Sequence, residues 1–362
     1  MNQMLSKTEV PETWHSHVEI NLSDLRDNIR YLRGKISPET RQMAVVKADA
    51  YGHGIVDVSK AVEEEVSWLG VANVPAAVEL REKGIKLPIL VFGVPTKHTA
   101  PVYESANLTA AISDITHFDI LPPGVNAHLH FDTGMNRLGI KPDMVDEVQR
   151  LSNRSKINIT GIMSHFACAD EPKSSKTTQQ LDVMKSVMRQ FPQEWDRHIH
   201  NSGGILYHYD PEFTMVRHGI SMYGYDPAPE PVHPLKPVLT WKSRIVQVKP
   251  IKKGETLSYG ARWEAESDGH VLVVPVGYAD GLPRNMTGQI AYYTNGQWIP
   301  VTGIVTMDYT MLFSKKTAKP GDEVIVLGGR SHNLRELADA TGTITYELLT
   351  RIAPKVPRHY IE

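Results

Sequence analysis

Lys47 and Tyr51 close a short apolar run, Met43-Ala-Val-Val-Lys47-Ala-Asp-Ala-Tyr51-Gly-His-Gly54. A lysine at a strand end, half shielded by apolar neighbours, gives up its proton more readily and becomes a nucleophilic amine. Schiff-base chemistry with a pyridoxal cofactor needs that amine. Alone, such a residue is as readily a cation snorkelling off a core strand. Other apolar runs end on polar groups too: Asp132-Thr-Gly-Met-Asn-Arg137, Ser164-His165, His200-Asn-Ser-Gly-Gly204 and Arg217-His-Gly-Ile220. Each set is weak by itself, since a buried histidine can simply be hydrogen-bonded and Arg137 can be a surface ion-pair partner. The small and hydroxyl residues of the last two sets are suited to holding a phosphate on backbone N–H groups.

These groups need a scaffold that gathers strand ends on one face. Eight apolar runs read as strands: Met43–Ala48, Trp68–Ala72, Pro88–Phe92, Leu108–Ile112, Ala127–Phe131, Ile157–Ser164, His198–His200 and Thr214–Val216. Helical stripes lie between them, among them Leu25, Ile29 and Leu32, and Leu181, Met184, Val187, Met188 and Phe191. This alternation predicts a (β/α)8 TIM-type barrel, whose active site sits at the C-terminal ends of its strands. An open doubly wound sheet would want a glycine fingerprint after its first strand, which Gly52 and Gly54 do not supply. Five prolines in Asp226–Pro237 predict a stiff linker. The β-branched runs beyond it, Leu239–Pro250, Val271–Val276, Ile290–Tyr293, Trp298–Val305 and Glu323–Leu327, predict a mostly β C-terminal domain with helices at Leu334–Ala340 and Thr345–Ile352. The expected division is 1–233 and 234–362.

Composition narrows the class. The chain has 362 residues, 41% hydrophobic and 22% charged, with a formal net charge of −2. No global field argues for nucleic acid or an anionic membrane. No apolar run is long enough to span a bilayer, and Met1–His17 lacks the apolar core of a secretory signal. The single cysteine, Cys168, leaves no disulfide and no cysteine-rich metal site. A cytoplasmic protein without a metal is the expectation.

An ordered series of motifs resembles the alanine racemase family: AVVKADAYGHG (44–54), DTGMNRLG (132–139), SHFACAD (164–170), HNSGG (200–204), VRHGISMYG (216–224), LSYGARW (257–263), VPVGYADGLPR (274–284), TMDYTM (306–311), TYELLTRI (345–352) and VPRHY (356–360). The resemblance implies a pyridoxal 5'-phosphate enzyme with a barrel and a β domain, interconverting L- and D-alanine for the cell wall. Lys47 would bind the cofactor and serve as one acid–base group, and Tyr259 of the partner subunit would serve as the other. A head-to-tail homodimer with shared active sites follows from that. A phenol with an ordinary pKa of about 10 is a poor base at neutral pH, so His165 and Arg217 become candidates to supply positive charge. Arg217 would face the pyridine nitrogen and keep it unprotonated, because a guanidinium cannot accept a proton. Tyr51, Ser202, the Gly219 and Ile220 N–H groups and Tyr346 would hold the phosphate. Arg137 and Met307 would bind the substrate carboxylate, with Asp308 orienting the loop and Tyr278 narrowing the entrance.

The chain departs from the family where a carbamylated lysine is common two residues before the Asp-Thr-Gly-Met motif. His130 stands there, so Arg137 must be positioned otherwise. Thr306 replaces a common cysteine, and His218 beside Arg217 could add charge. Alternatives are a serine or broad-specificity racemase, a barrel-type decarboxylase, and a pyridoxal carrier without racemase activity. The decarboxylase would want a Cys-Asp motif that Thr306-Met-Asp308 lacks, and the carrier would lack the domain bearing Tyr259.

Overall fold

In the computed structural model, residues 16–329 and 334–362 are described. The expectation for Met1–His17 therefore lies almost wholly outside the described residues. The structure groups into two units, Leu22–Lys236 and a second that joins the residues before Leu22 to Pro237–Glu362.

In the first unit eight parallel strands run β2 (Arg41–Val45), β3 (Trp68–Val71), β4 (Ile89–Val91), β5 (Thr109–Ile112), β6 (Asn126–His130), β7 (Asn158–Met163), β8 (Asp196–His198) and β9 (Met215–His218). Their order is β8-β7-β6-β5-β4-β3-β2-β9. The two ends meet through the Thr214 N–H on the Arg197 carbonyl at 3.0 Å and the Arg217 N–H on the His200 carbonyl at 2.9 Å. The result is the nearly closed barrel that the alternation of runs predicted. Met43, Trp68, Leu90, Ala111, Met163 and Met215 form one buried cluster contributed by six of the strands. Such a cluster makes the interior a packed core and not a pore.

The proline-rich segment is fastened as well as stiff. The buried Asp226 carboxylate accepts the N–H groups of Ala228, Val232 and His233 and the Tyr207 hydroxyl. Asn28 clamps its far end through both the N–H and the carbonyl of Lys236.

In the second unit β1 (His17–Asn21) lies between β10 (Leu239–Arg244) and β19 (Arg358–Ile361), in a six-stranded sheet ordered β16-β15-β18-β10-β1-β19. Here β15 is Ala291–Thr294, β16 Gln297–Pro300 and β18 Glu323–Gly328. A three-stranded sheet β11-β14-β17 follows, from Gln247–Ile251, Gly269–Val274 and Thr310–Ser314, with a short pair β12 (Thr256–Leu257) and β13 (Trp263–Glu264). The run expected as one strand, Leu239–Pro250, breaks at Ile245–Val246, so its halves join different sheets. Strand β1 sides with this unit because it pairs with β10 and β19. The division thus falls at Asn21/Leu22 and Lys236/Pro237 where one cut at 233/234 was expected. Among the described residues no helix is long and apolar enough to cross a membrane.

Candidate active site

After β2 the chain does something costly. Ala48, Asp49, Ala50 and Tyr51 all take left-handed backbone angles, with φ of 52°, 53°, 50° and 55°. That conformation costs L-residues about 1–2 kcal/mol each and occurs mostly singly. The turn is held from several sides. The Ala50 N–H bonds the Val46 carbonyl at 2.9 Å, and the Ile55 N–H bonds Asp49 Oδ1 at 2.7 Å. The buried His53 ring sets Nδ1 against the Ala50 and Tyr51 carbonyls. Strain of this kind concentrates at sites that use it. Here it leaves Lys47 half-buried at the head of the turn and buries Tyr51 against Tyr223, ring centroids 4.8 Å apart.

Burial first, then the charges of Arg137 and Arg217, hold the Lys47 amine below the usual lysine value. Lowering it favours the neutral, nucleophilic form. Arg137 is exposed on the loop after β6, and it lines a small pocket with His130, Asp132, Met135, Ser164 and His165. Asp132 shapes that loop: Oδ1 accepts the N–H groups of Gly134 and Asn136, and Oδ2 takes Lys141 at 2.6 Å.

Arg217 is buried in β9, and every contact its guanidinium makes is to a neutral acceptor. Nη1 donates to His198 Nδ1 at 2.8 Å. The two Nη2 hydrogens are shared among the Ser164 carbonyl at 2.8 Å, the Ile199 carbonyl at 3.0 Å and His165 Nδ1 at 3.1 Å. Burial, with help from Arg137, lowers its pKa to about 9, so it stays cationic at neutral pH. His165 differs from expectation. Burial and the nearby cations hold its pKa well below 6.5, so the ring is neutral and supplies no positive charge. Its hydrogen sits on Nε2, because Nδ1 faces a donor. His218 adds no charge either: burial lowers it to about 3, and Nε2 meets Gln42 Oε1 at 2.9 Å. Burial lowers His130 to about 4, and its Nδ1 has no partner. A neutral ring at this position gives Arg137 no counter-charge.

Ser202, at the start of the short helix Ser202–Tyr207, accepts the N–H groups of Gly219 and Ser221 at 3.1 Å each. With both lone pairs used, its hydroxyl is left with a hydrogen to donate. A methyl group on Gly219 would lie 3.2 Å from Tyr51 Oη and 3.3 Å from Ser202 Oγ, so the missing side chain leaves space between two hydroxyls. Ser221 Oγ is buried without a partner. Hydroxyl donors around such a gap fit a phosphate group, the Gly219 N–H expected there being given to Ser202 instead, and a lysine amine in the same unit fits an aldehyde. The residues present therefore fit pyridoxal phosphate.

The remaining expected residues belong to the second unit. Tyr259 is 72% exposed on a short turn where Ser258, Gly260 and Ala261 have φ of 70°, 73° and 48°. Ser258 Oγ donates to the Ile304 carbonyl at 3.1 Å, tying this turn to the segment that leads to Met307. The Tyr278 and Ala279 N–H groups bond the Thr306 and Met307 carbonyls at 3.0 Å, and Gly277 lies so close that a Cβ there would meet the Met307 carbonyl at 2.2 Å. Thr306 Oγ1 donates to the Tyr309 carbonyl and so closes the turn that displays Met307 and Asp308. Tyr346 is half-buried in the helix Thr345–Thr350. Sequence reasoning missed His128 and His198. The alternation His128-Leu-His130 was the available signal, since it sets both histidines on one face of β6.

Family models for the alanine racemase N-terminal and C-terminal domains match residues 20–227 and 238–360. An alanine racemase of Symbiobacterium thermophilum is 36% identical over 96% of this chain and 97% of its own, and one of Streptococcus uberis is 35% identical over 94% and 96%. The solved alanine racemase of Clostridium difficile 630 superposes with a TM-score of 0.91 at 32% identity, covering 96% of each chain.

Proposed function

Because the chain belongs to the alanine racemase family of amino-acid racemases, we propose that it interconverts L- and D-alanine by a two-base mechanism shared between two subunits. The family's cofactor is pyridoxal 5'-phosphate, which when bound supplies the electron sink that acidifies the substrate Cα–H. Lys47 would hold it covalently until the substrate amine takes its place, which frees Nζ as a base; Tyr51, Ser202, Tyr346 and the Ile220 N–H would hold its phosphate, with Gly219 leaving room for it. The observation that carries this reading is the lysine amine, half-buried and kept acidic within reach of the Arg137 and Arg217 charges.

Racemisation removes a proton from one face of Cα and returns one to the other, so it needs two groups on opposite sides. Lys47 Nζ moves the proton on one face and Tyr259 Oη on the other. The exposure of Tyr259, together with exposed Tyr278, Met307 and Tyr309 in the same unit, supports a surface that serves a second copy of the chain. Neutral His165 orients the phenolic oxygen through its Nε2–H, and Arg217 supplies the charge that favours phenolate. Arg137 and the Met307 N–H bind the substrate carboxylate, Asp308 orients that loop, and Tyr278 limits the side chain to a small one. A cytoplasmic setting and supply of D-alanine to the cell wall belong to the same proposal.

Two inactive variants, Lys47→Ala and Tyr259→Phe, test the shared site. Unfolded and refolded together at equal amounts, they should regain about a quarter of wild-type activity, because half the dimers are mixed and each carries one intact site. Chiral chromatography of L-alanine reads the outcome. No regained activity in verified mixed dimers would show that each site draws both bases from one chain.

A further inference from the structure

His128 and His198 lie fully buried inside the barrel and have no part in the scheme above. Their hydrogen bonds leave one self-consistent arrangement of protons. A guanidinium only donates, so His198 Nδ1, 2.8 Å from Arg217 Nη1, must present a lone pair. Burial holds the pKa of His128 at about 3 and that of His198 well below 6.5, so each ring is neutral and carries one hydrogen. The hydrogen of His198 therefore sits on Nε2, which lies 2.8 Å from His128 Nδ1 and donates to it. His128 in turn carries its hydrogen on Nε2, a buried atom with no hydrogen-bond partner, while its ring packs on Trp68 with centroids 5.2 Å apart. An unpaired buried N–H is costly, and the backbone has been shaped to keep it. A register shift in the pairing of β6 with β7 sets Gly161 opposite His128. A Cβ on Gly161 would lie 2.6–2.7 Å from three atoms of the His128 ring.

We propose that His128 is a positioning residue for racemisation, the far end of a chain Arg217–His198–His128 that holds the His198 ring in place and so the aim of the Arg217 guanidinium, with Gly161 making room for it. Without an acceptor at the His128 Nδ1 position, the His198 Nε2–H is left buried and unpaired, and the ring gains by turning toward another acceptor. Turning draws Nδ1 away from Arg217 Nη1 and loosens the guanidinium. The catalytic consequence rests on the proposed role of Arg217 toward the cofactor, whereas the tautomers do not.

Histidine-selective 15N labelling with long-range 1H–15N correlation reads the tautomers directly, with His198 assigned by its loss in His198→Asn. In the wild-type protein both rings should be Nε2–H. In His128→Leu the His198 Nδ1 and Nε2 resonances should move as both hydrogen bonds weaken, and kcat should fall roughly tenfold with cofactor content and the KM for L-alanine near wild-type. His128→Asn, whose amide oxygen can replace Nδ1 as acceptor, should recover most of the rate, and Gly161→Ala should behave like His128→Leu. A wild-type His198 found as Nδ1–H or as imidazolium would overturn the proposal, whether or not any variant folds. So would a folded His128→Leu protein with unchanged His198 nitrogen shifts and kcat. Changed His198 shifts with unchanged kcat would overturn the link to catalysis. If Arg217→Lys then also kept the wild-type rate and spectrum, the role given to Arg217 would be the part at fault.

Discussion

Replacing Gly219 by alanine places one methyl group where the structure leaves a gap, and beyond a loss of stability it should weaken the hold on the phosphate. Gly219 has a φ of −111° and a ψ of −121°, so the substitution meets no left-handed penalty but takes a ψ outside the α and β ranges of an L-residue. The added carbon would lie 3.2 Å from Tyr51 Oη and 3.3 Å from Ser202 Oγ. Those distances are tight by a few tenths of an ångström, and both atoms are side-chain ends able to yield. The cofactor-free fold should lose about 2–4 kcal/mol from backbone and crowding together. With phosphate bound, the methyl group competes for the space between two hydroxyls that would donate to it. Losing one hydrogen bond to a charged group costs about 1.5–3 kcal/mol, or roughly ten- to a hundredfold in the cofactor Kd. Titration of cofactor-free protein with pyridoxal phosphate, followed by absorbance, reads that shift, and a thermal melt of the same cofactor-free sample checks the fold. A Kd within about twofold of wild-type, in cofactor-free protein that the melt shows to be folded, would refute the assignment of the Tyr51–Ser202–Gly219 cradle to the phosphate.

Two further outcomes follow from the barrel interior. Arg217→Glu offers a proton to the ring nitrogen that a guanidinium cannot, so racemisation should slow and a long-wavelength absorbance from a longer-lived carbanion should build up during turnover; a wild-type rate and spectrum would sink that role. The second outcome concerns acid. His128, His200 and His218 are lowered by burial to about 3 and His130 to about 4, with His165 and His198 well below 6.5. The folded state then binds fewer protons than the unfolded chain below pH 6.5, so stability is complete above that pH and drains away as pH falls toward about 4. Asp196, raised by burial to about 6, works the other way over roughly pH 4–6, but one carboxylate is set against six rings. Urea midpoints should fall steadily from pH 6.5 to 4.5, and a flat profile would mean that the rings are not buried and neutral.

Much of this was legible in the chain because local rules decide it. Lys47 and Arg217 close apolar runs whose alternation with helical stripes favours barrel strands over an open doubly wound sheet, and a barrel gathers its strand ends on one face. Tyr259 is a different case: nothing in the periodicity around an exposed tyrosine on a turn announces chemistry, and only the Ser258-Tyr-Gly motif within the ordered series pointed to it. The left-handed turn from Ala48 to Tyr51 was not legible, since neither alanine nor tyrosine favours that conformation and only the contacts of Val46, Asp49 and His53 enforce it. His198 and His128 were missed for a related reason. They lie 70 positions apart in sequence, and they meet only once β6, β7 and β8 are in register with a shift at Gly161.

What they add is electrostatic. A buried arginine is usually stabilised by a carboxylate, which cancels its charge as it satisfies its hydrogen bonds. Among the described residues Arg217 has no such partner; its acceptors are backbone carbonyls and imidazole lone pairs. Neutral acceptors orient the guanidinium and leave its charge unopposed in a low-dielectric interior, where a charge acts furthest. Burial first, then the charges of Arg137 and Arg217, depress the Lys47 amine. The same choice is repeated at His130, where a negative group would have compensated Arg137 and a neutral ring does not. The proposed site, which would keep one amine deprotonated and favour a phenolate, gains on both counts from cations held without counter-charge, and histidines kept neutral by burial are the acceptors that allow it.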